Sequence, residues 1–420
     1  MKVLIISPSK GLYDSQSDGY NGVGWVASLQ QYLEKEQDIE LAMAFVTPAP
    51  LQKEKRGNTM YYPIHIPDRS GLKKLYYYWQ GYKKDVFDKS IVILLKEVIE
   101  DFSPDIIHIF GTESNLGYII GETDVPCVVH IQGILSSVVD VYYPPGFNGK
   151  NFKSIKYLRE YWLRNGIVFN YQRMRCAAKR EREFLSTTNY FIGRTEWDKQ
   201  LSTLYNPKAS YYHVDEILRP YFYEAKKWQN PQSKKIILLS TISSNTYKGL
   251  DLILKTASIL KSLDIDFRWK VIGINNNYFT RIIEKKLQIF HDAVNINYLG
   301  IKDVEEIICS LQQATMYIHP SHIDNSPNSL CEAQYLGLPC IATNVGGVST
   351  IMYNNTEYLI PANDAYLLAS KIITLQSTLS KRIDVTVNHE RVIERHSPKR
   401  VICSLKEAYA EILKKHTENK

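Results

Sequence analysis

Residues 319–347 read HPSHIDNSPNSLCEAQYLGLPCIATNVGG. A short apolar run, Met316–His319, leads into this stretch, and another, Cys340–Ala342, lies near its end. Between them a helical pattern covers 327–336, with Gly337 and Pro339 as its stop. Ser326 and Pro327 stand where an N-cap serine and a first-turn proline mark a helix start. Strand, loop, helix, strand in this order is the repeating unit of a parallel sheet. The helix N-terminus then opens at the carboxyl edge of that sheet, where unpaired N–H groups and the positive dipole end favour an anion. Asp324 lies in the loop just before the helix. Asn328 and Glu332, four apart, share a helix face, with Ser329 beside them. A carboxylate can accept paired hydrogen bonds from vicinal hydroxyls. A plain acidic loop followed by a solvated helix glutamate is the alternative. The proline, the stop glycine and the Gly346–Gly347 turn together favour a binding loop.

The same rhythm extends in both directions. Upstream in the second half, strands are expected at Ile236–Leu239, Trp269–Ile272 and Val294–Tyr298, and downstream at Tyr358–Ile360. Helical patterns fall at 249–262, 279–290, 303–313 and 363–377. Before this series lies the polar stretch KKWQNPQSKK, 226–235, which reads as a linker. The first half repeats the scheme, with strands at Val3–Ser7, Ile39–Phe45, Ile106–Phe110, Cys127–Ile131, Tyr190–Ile192 and Tyr211–Val214. Its helical patterns lie near 22–36, 84–101 and 155–185. Two complete series predict an α/β protein of two Rossmann-like, doubly wound domains, with ligands held at the strand ends facing a central cleft. The domains are expected at 1–225 and 226–397, with a last helix, 398–416, packing back on the first.

A length of 420 residues suits two such domains, and 44% hydrophobic with 23% charged residues is ordinary for a globular chain. No apolar stretch is long enough to cross a membrane, and MKVLIISPSKGLYD reads as a first strand, since a signal peptide needs a longer apolar run. None of the six cysteines forms a CxxC pair, so reduced, buried thiols are expected, as in a cytoplasmic protein. Net charge is +7, and residues 153–183 hold nine Lys or Arg against three Glu, an excess of six. Such a patch suits an anionic partner.

Three further segments carry candidate chemistry. In LSTISSNTYKGL, 239–250, Lys248–Gly249 opens a helix after a strand, where a lysine can set a point charge on a pyrophosphate. In SDGYNGVGWVASL, 17–29, Gly19, Gly22 and Gly24 allow close backbone approach to a ligand, but G-x-G-x-x-G is absent. PCVVHIQG, 126–133, ends a buried strand; Gln132 sits at its tip as a hydrogen-bonding residue, and His130 reads as a core histidine.

On these residues the chain resembles family 4 retaining glycosyltransferases of the GT-B fold, above all over 317–348. Asp324 and Glu332 keep that family's spacing of two acids, with Asp where Glu is usual. The resemblance implies that Glu332 binds the ribose of a nucleotide sugar and that Asp324 contacts hydroxyls of the transferred sugar. It implies that Ser326, Asn328, Ser329 and Leu330 face the donor, the last three through backbone N–H groups. Lys248 would meet the diphosphate, and the family's arginine several residues upstream is missing here, with Thr241, Ile242 and Ser243 in its neighbourhood. Gly22, Gly24 and Gly273 fall among the implied donor-binding residues, and Gln132, Asp324 and Lys248 among the catalytic ones. PDIIHIFGTES (104–114), FIGRTEWDK (191–199) and HVDEILRPYFY (213–223) resemble a bacterial subgroup acting in surface-polysaccharide assembly.

The expected activity is therefore retaining transfer of a hexosyl-type group from a UDP- or GDP-sugar to a glycan or lipid-linked glycan. No cofactor, catalytic metal or nucleic acid is expected. The place is the cytoplasm, peripheral on the inner face of the cell membrane. Asp264-Ile265-Asp266 forms a DxD, but in a turn at the strand end opposite the ligand edge. A dinucleotide-dependent oxidoreductase, a nucleic-acid-binding protein, and a same-fold sugar-nucleotide epimerase or glycogen-type synthase are the rival readings.

Overall fold

Buried apolar strands alternating with amphipathic helices close into two separate sheets. The structure, a computed structural model, describes residues 1–13, 24–48, 50–66, 87–153, 157–163, 165–231, 235–353, 356–380 and 389–418. The first sheet contains β1 (Lys2–Ser7), β2 (Glu40–Thr47), β3 (Glu54–Arg56), β4 (Thr59–His65), β5 (Ile106–Phe110), β6 (Cys127–His130), β7 (Tyr190–Gly193) and β8 (Ser210–His213). Its order is β3-β4-β2-β1-β5-β6-β7-β8, and only β3 runs antiparallel to its neighbour. The second sheet contains β9 (Ile236–Thr241), β10 (Phe267–Ile272), β11 (Ile296–Gly300), β12 (Met316–His319), β13 (Cys340–Thr343) and β14 (Leu359–Ile360). Its order is β11-β10-β9-β12-β13-β14, all parallel. In both sheets the first strand lies inside, flanked by strands that wind away in opposite directions. The crevices at β1/β5 and β9/β12 are the switch points where doubly wound sheets bind ligands.

The domains interlock. The last helix, Pro398–Glu418, buries Val401, Leu405, Tyr409 and Ile412 in one core with Val3, Ile5, Leu29 and Leu33 of the first domain. Lys406 pins it to Glu36 at 2.7 Å and Asp38 at 2.8 Å. In the other direction, Phe147 and Phe152 pack into the core built around β9 and β10. No helix among the described residues is long and apolar enough to cross a membrane.

Several elements depart from the sequence reading. β3 and β4 were not expected, and β4 contains Pro63, a residue that argues against an inner strand. Only Thr59–Tyr61 of β4 pair with β3, so at Pro63 the strand is an edge on that side and no ladder bond is lost. The pattern near 84–101 becomes a helix over Ile91–Phe102. The pattern 155–185 is broken into Tyr157–Trp162 and Ile167–Leu185 around Gly166, whose φ is +89°. Of the six thiols, Cys127, Cys331 and Cys340 are buried and Cys176 partly so, but Cys309 and Cys403 are exposed.

Candidate active site

A cleft of about 340 Å³ opens between the two sheets at their carboxyl ends. On the second domain its wall is the loop after β9. Gly249 has a φ of +81°, and a Cβ there would lie 2.0 Å from the carbonyl oxygen of Pro320. The glycine of the Lys-Gly pair is thus required by a close crossing of two backbone loops, and Lys248 before it lines the cleft. Its Nζ meets Asp324 Oδ2 at 2.7 Å. That carboxylate also accepts from Ser321 Oγ at 3.2 Å and faces His319 Nε2 at 3.3 Å. Burial works to raise the pKa of Asp324, but the Lys248 ammonium and His319 hold it well below the usual carboxylate range. The Asp324 loop is fixed by the second glycine motif: a Cβ on Gly346 would stand 2.0 Å from the Asp324 carbonyl oxygen.

The helix after this loop runs Asn328–Leu336, with Gly337 as its left-handed C-cap. Pro327, not Ser326, is the N-cap, and no side chain caps the helix. The Ser326 hydroxyl donates instead to Glu216 Oε1 at 2.6 Å. Burial tends to raise the Glu216 pKa, but Arg395, His396 and Arg194 bring it well below normal. The side chain of Ser326 is therefore committed to the scaffold, although the residue lines the cleft. The Leu330 side chain is fully buried in the core, and its amide lies in the first helical turn, donating to the Pro327 carbonyl at 3.0 Å. Asn328 and Ser329 line the cleft, and their amides precede the first intrahelical bond.

Glu332 lies on the same helix face and is held by a residue the sequence reading passed over. Arg219 donates to it in a two-pronged fork, Nε to Oε1 at 2.7 Å and Nη2 to Oε2 at 2.8 Å. Burial raises the Glu332 pKa, and the arginine offsets this only in part. Arg219 stands inside the quoted HVDEILRPYFY segment. A lone arginine before a proline gives no local sign of function, and its partner is 113 residues away.

On the first domain the wall starts at Gly24, the first residue of the Gly24–Leu33 helix. The Arg219 stem passes 3.5 Å from where a Gly24 Cβ would sit. Gly22 lies outside the described residues. Gln132 lines the cleft after β6; its carbonyl accepts from Asn325 Nδ2 at 3.2 Å across the domain interface. Arg194 Nη2 lies 3.4 Å from Gln132 Oε1 and its guanidinium sits over the Trp25 ring. Arg194 and Trp25, which also line the cleft, gave no signal of their own in sequence. His130 is buried, with Nδ1 3.1 Å from His108 Nε2, and burial pushes its pKa down, so it is a core histidine. Gly273 follows β10, and its amide donates to Gly300; it is not among the described residues that line the cleft. Asp264 and Asp266 lie in an exposed turn before β10, at the strand end away from the cleft, with Asp266 paired to Lys235.

Two Rossmann-like domains facing each other across a cleft at both switch points make this a GT-B protein. Residues 222–386, most of the second domain, match the family model described as glycosyl transferases group 1. Among curated relatives, the capsular polysaccharide biosynthesis glycosyltransferase CapM of Staphylococcus aureus is 25% identical over 41% of this chain and 45% of its own length. The chain spans less than half the length of the first curated relatives it matches. Sucrose-phosphate synthase from Thermosynechococcus elongatus superimposes with a TM-score of 0.70 at 14% identity, over 98% of this chain and 99% of its own. Anabaena HepE, solved with UDP and glucose, gives 0.61 at 11% identity over 98% and 99%.

Proposed function

We propose that this chain is a retaining glycosyltransferase of polysaccharide biosynthesis. It takes a hexosyl-type group from a UDP- or GDP-sugar and passes it to a glycan or lipid-linked glycan. The observation that carries this reading is the convergence of Lys248, Asp324 and Glu332 with the start of the Asn328–Leu336 helix on one cleft. The names of relatives such as CapM support the polysaccharide setting, and HepE with its UDP makes uridine the first base to test.

Each group has a chemical task in this reading. Lys248 and the helix N-terminus meet the negative charge that grows on the departing diphosphate. Asp324 and Glu332 accept hydrogen bonds from sugar and ribose hydroxyls. Asp324 is a poor covalent nucleophile, since Lys248, Ser321 and His319 already bind its carboxylate. Gln132 cannot exchange a proton at neutral pH and serves to position. The acceptor hydroxyl then attacks from the face the diphosphate leaves, which retains configuration, and its proton passes to the departing phosphate.

The test is to incubate the protein with UDP- and GDP-sugars, follow nucleoside diphosphate release, and read the anomeric configuration of any product by NMR. Release from one sugar nucleotide with a retained linkage is the expected result. Inverted product overturns the stereochemistry, and no turnover or binding of any sugar nucleotide overturns the activity.

A further inference from the structure

Lys248, Arg194 and Arg219 line the cleft, and so do Asp324 and Glu332. Two of these cations are neutralised by the two acids at 2.7 Å. A nucleoside diphosphate sugar brings two negative charges and a vicinal diol. The guanidinium fork takes one acceptor site on each Glu332 oxygen, and opening an ion pair would free the paired acceptor sites of a carboxylate for the diol. The two pairs are not equally free to do so. Asp324 is also bound by Ser321 and His319, and its loop and that of Lys248 are locked by the backbone crossings at Gly249 and Gly346. Arg219 instead projects from the irregular segment 214–220, with its long stem against Gly24 and its guanidinium over the Phe222 ring.

From this geometry we propose that Arg219 is an exchangeable donor ligand: the ribose diol takes Glu332, and the released guanidinium turns onto the diphosphate beside Lys248. This builds on the nucleotide-sugar reading above. A guanidinium binds phosphate oxygens in the same two-pronged way as it binds a carboxylate, so the exchange trades one bidentate partner for another. It also supplies a second cation where Thr241, Ile242 and Ser243 offer none. The pair is thereby a specificity device. A nucleoside alone must break the Arg219–Glu332 contact without giving the arginine a new anion, whereas a nucleoside diphosphate satisfies both.

The experiment compares uridine with UDP, and guanosine with GDP, by titration calorimetry or ligand-observed NMR on wild type, Arg219→Gln and Arg219→Lys. Thermal melts confirm folding. For Arg219→Gln, tenfold or greater loss of diphosphate affinity is expected, while affinity for the matching nucleoside is kept or rises because Glu332 is no longer occupied. Arg219→Lys should recover part of the diphosphate affinity, because charge returns without the fork. Equal fractional losses for nucleoside and diphosphate mean that Arg219 merely orients Glu332, and overturn the proposal. Unchanged affinities in both variants overturn it as well. Failure of the function itself reads differently: wild type then binds neither UDP nor GDP, before any substitution is made.

Discussion

Lys248 is both the cation proposed to meet the leaving diphosphate and a partner that holds the Asp324 pKa down. Its replacement by alanine should lower kcat by roughly a hundredfold, the scale of losing one electrostatic contact to a developing charge. Nucleoside affinity should barely move. Steady-state kinetics beside nucleoside titration check this, and unchanged kcat removes Lys248 from the chemistry. If protein cations alone meet the diphosphate, activity also persists in EDTA; loss in EDTA with recovery on Mg²⁺ or Mn²⁺ would reverse that expectation. Gln132 makes a different case. Its backbone carbonyl is tied to Asn325, so the side chain can change without releasing the interface. Histidine in its place keeps hydrogen-bonding capacity, and Arg194 at 3.4 Å disfavours the imidazolium. Gln132→His should therefore keep most of the activity that Gln132→Ala loses, with a gap of roughly tenfold or more if the hydrogen bond is worth about 1.5–3 kcal/mol. Matching losses in both variants show that the side chain's hydrogen bond is not what matters.

At the scale of elements, legibility followed how local the cause was. The Asn328–Leu336 helix and its two flanking strands were readable because cap, stop and periodicity lie within one short stretch. The β3–β4 hairpin was not read from the sequence, and β4 tolerates Pro63 because β3 does not extend that far. Arg219, Arg194 and Glu216 were unreadable for a related reason: each acts through a partner in a distant part of the chain. Glu181 shows the same in the first domain. It accepts from the Thr112 hydroxyl and from the amides of Leu135 and Ser136, at 3.0 and 3.2 Å, and so holds the short helix that follows Gln132. Burial outweighs these hydrogen bonds and lifts its pKa to about 7. A carboxyl raised in the folded state stabilises fully below its unfolded pKa, and this contribution is lost as pH rises through the folded value. Between about pH 4.5 and 7, then, wild type should lose melting temperature faster than Glu181→Gln, which does not titrate. Parallel melting curves across that window would show that the buried carboxyl is ionised throughout.

For the whole molecule, the basic segment takes on a shape that composition alone could not give. Arg180 and Glu181 are buried, which leaves the excess of six charges over 153–183 unchanged. Arg173, Arg175 and Lys179 are exposed on the Ile167–Leu185 helix. Just before it, Leu158, Tyr161, Trp162 and Leu163 are 69%, 45%, 63% and 54% exposed, a run of large apolar side chains that the domain leaves in water. Apolar and aromatic groups beside exposed cations suit the interface of an anionic bilayer. Residues 69–84, RSGLKKLYYYWQGYKK, also interleave basic with aromatic residues, and they lie outside the described residues. We propose that the 157–185 surface docks reversibly on anionic membrane. The Ile167–Leu185 helix packs against the short helix that begins three residues after Gln132, so docking would present a lipid-linked acceptor at the first-domain wall of the cleft. Each basic residue near the leaflet contributes about 1 kcal/mol, screened by salt. Co-sedimentation with phosphatidylserine or phosphatidylglycerol vesicles should therefore be strong at low salt and fade at high salt. Arg173→Glu with Arg175→Glu should weaken it through charge, and Leu158→Ser with Trp162→Ser should weaken it through insertion, with donor hydrolysis in solution unchanged. Binding that survives both double substitutions moves the contact elsewhere on the molecule. No binding to anionic vesicles at low salt ends the membrane proposal and leaves the exposed cations to an acceptor's own phosphates.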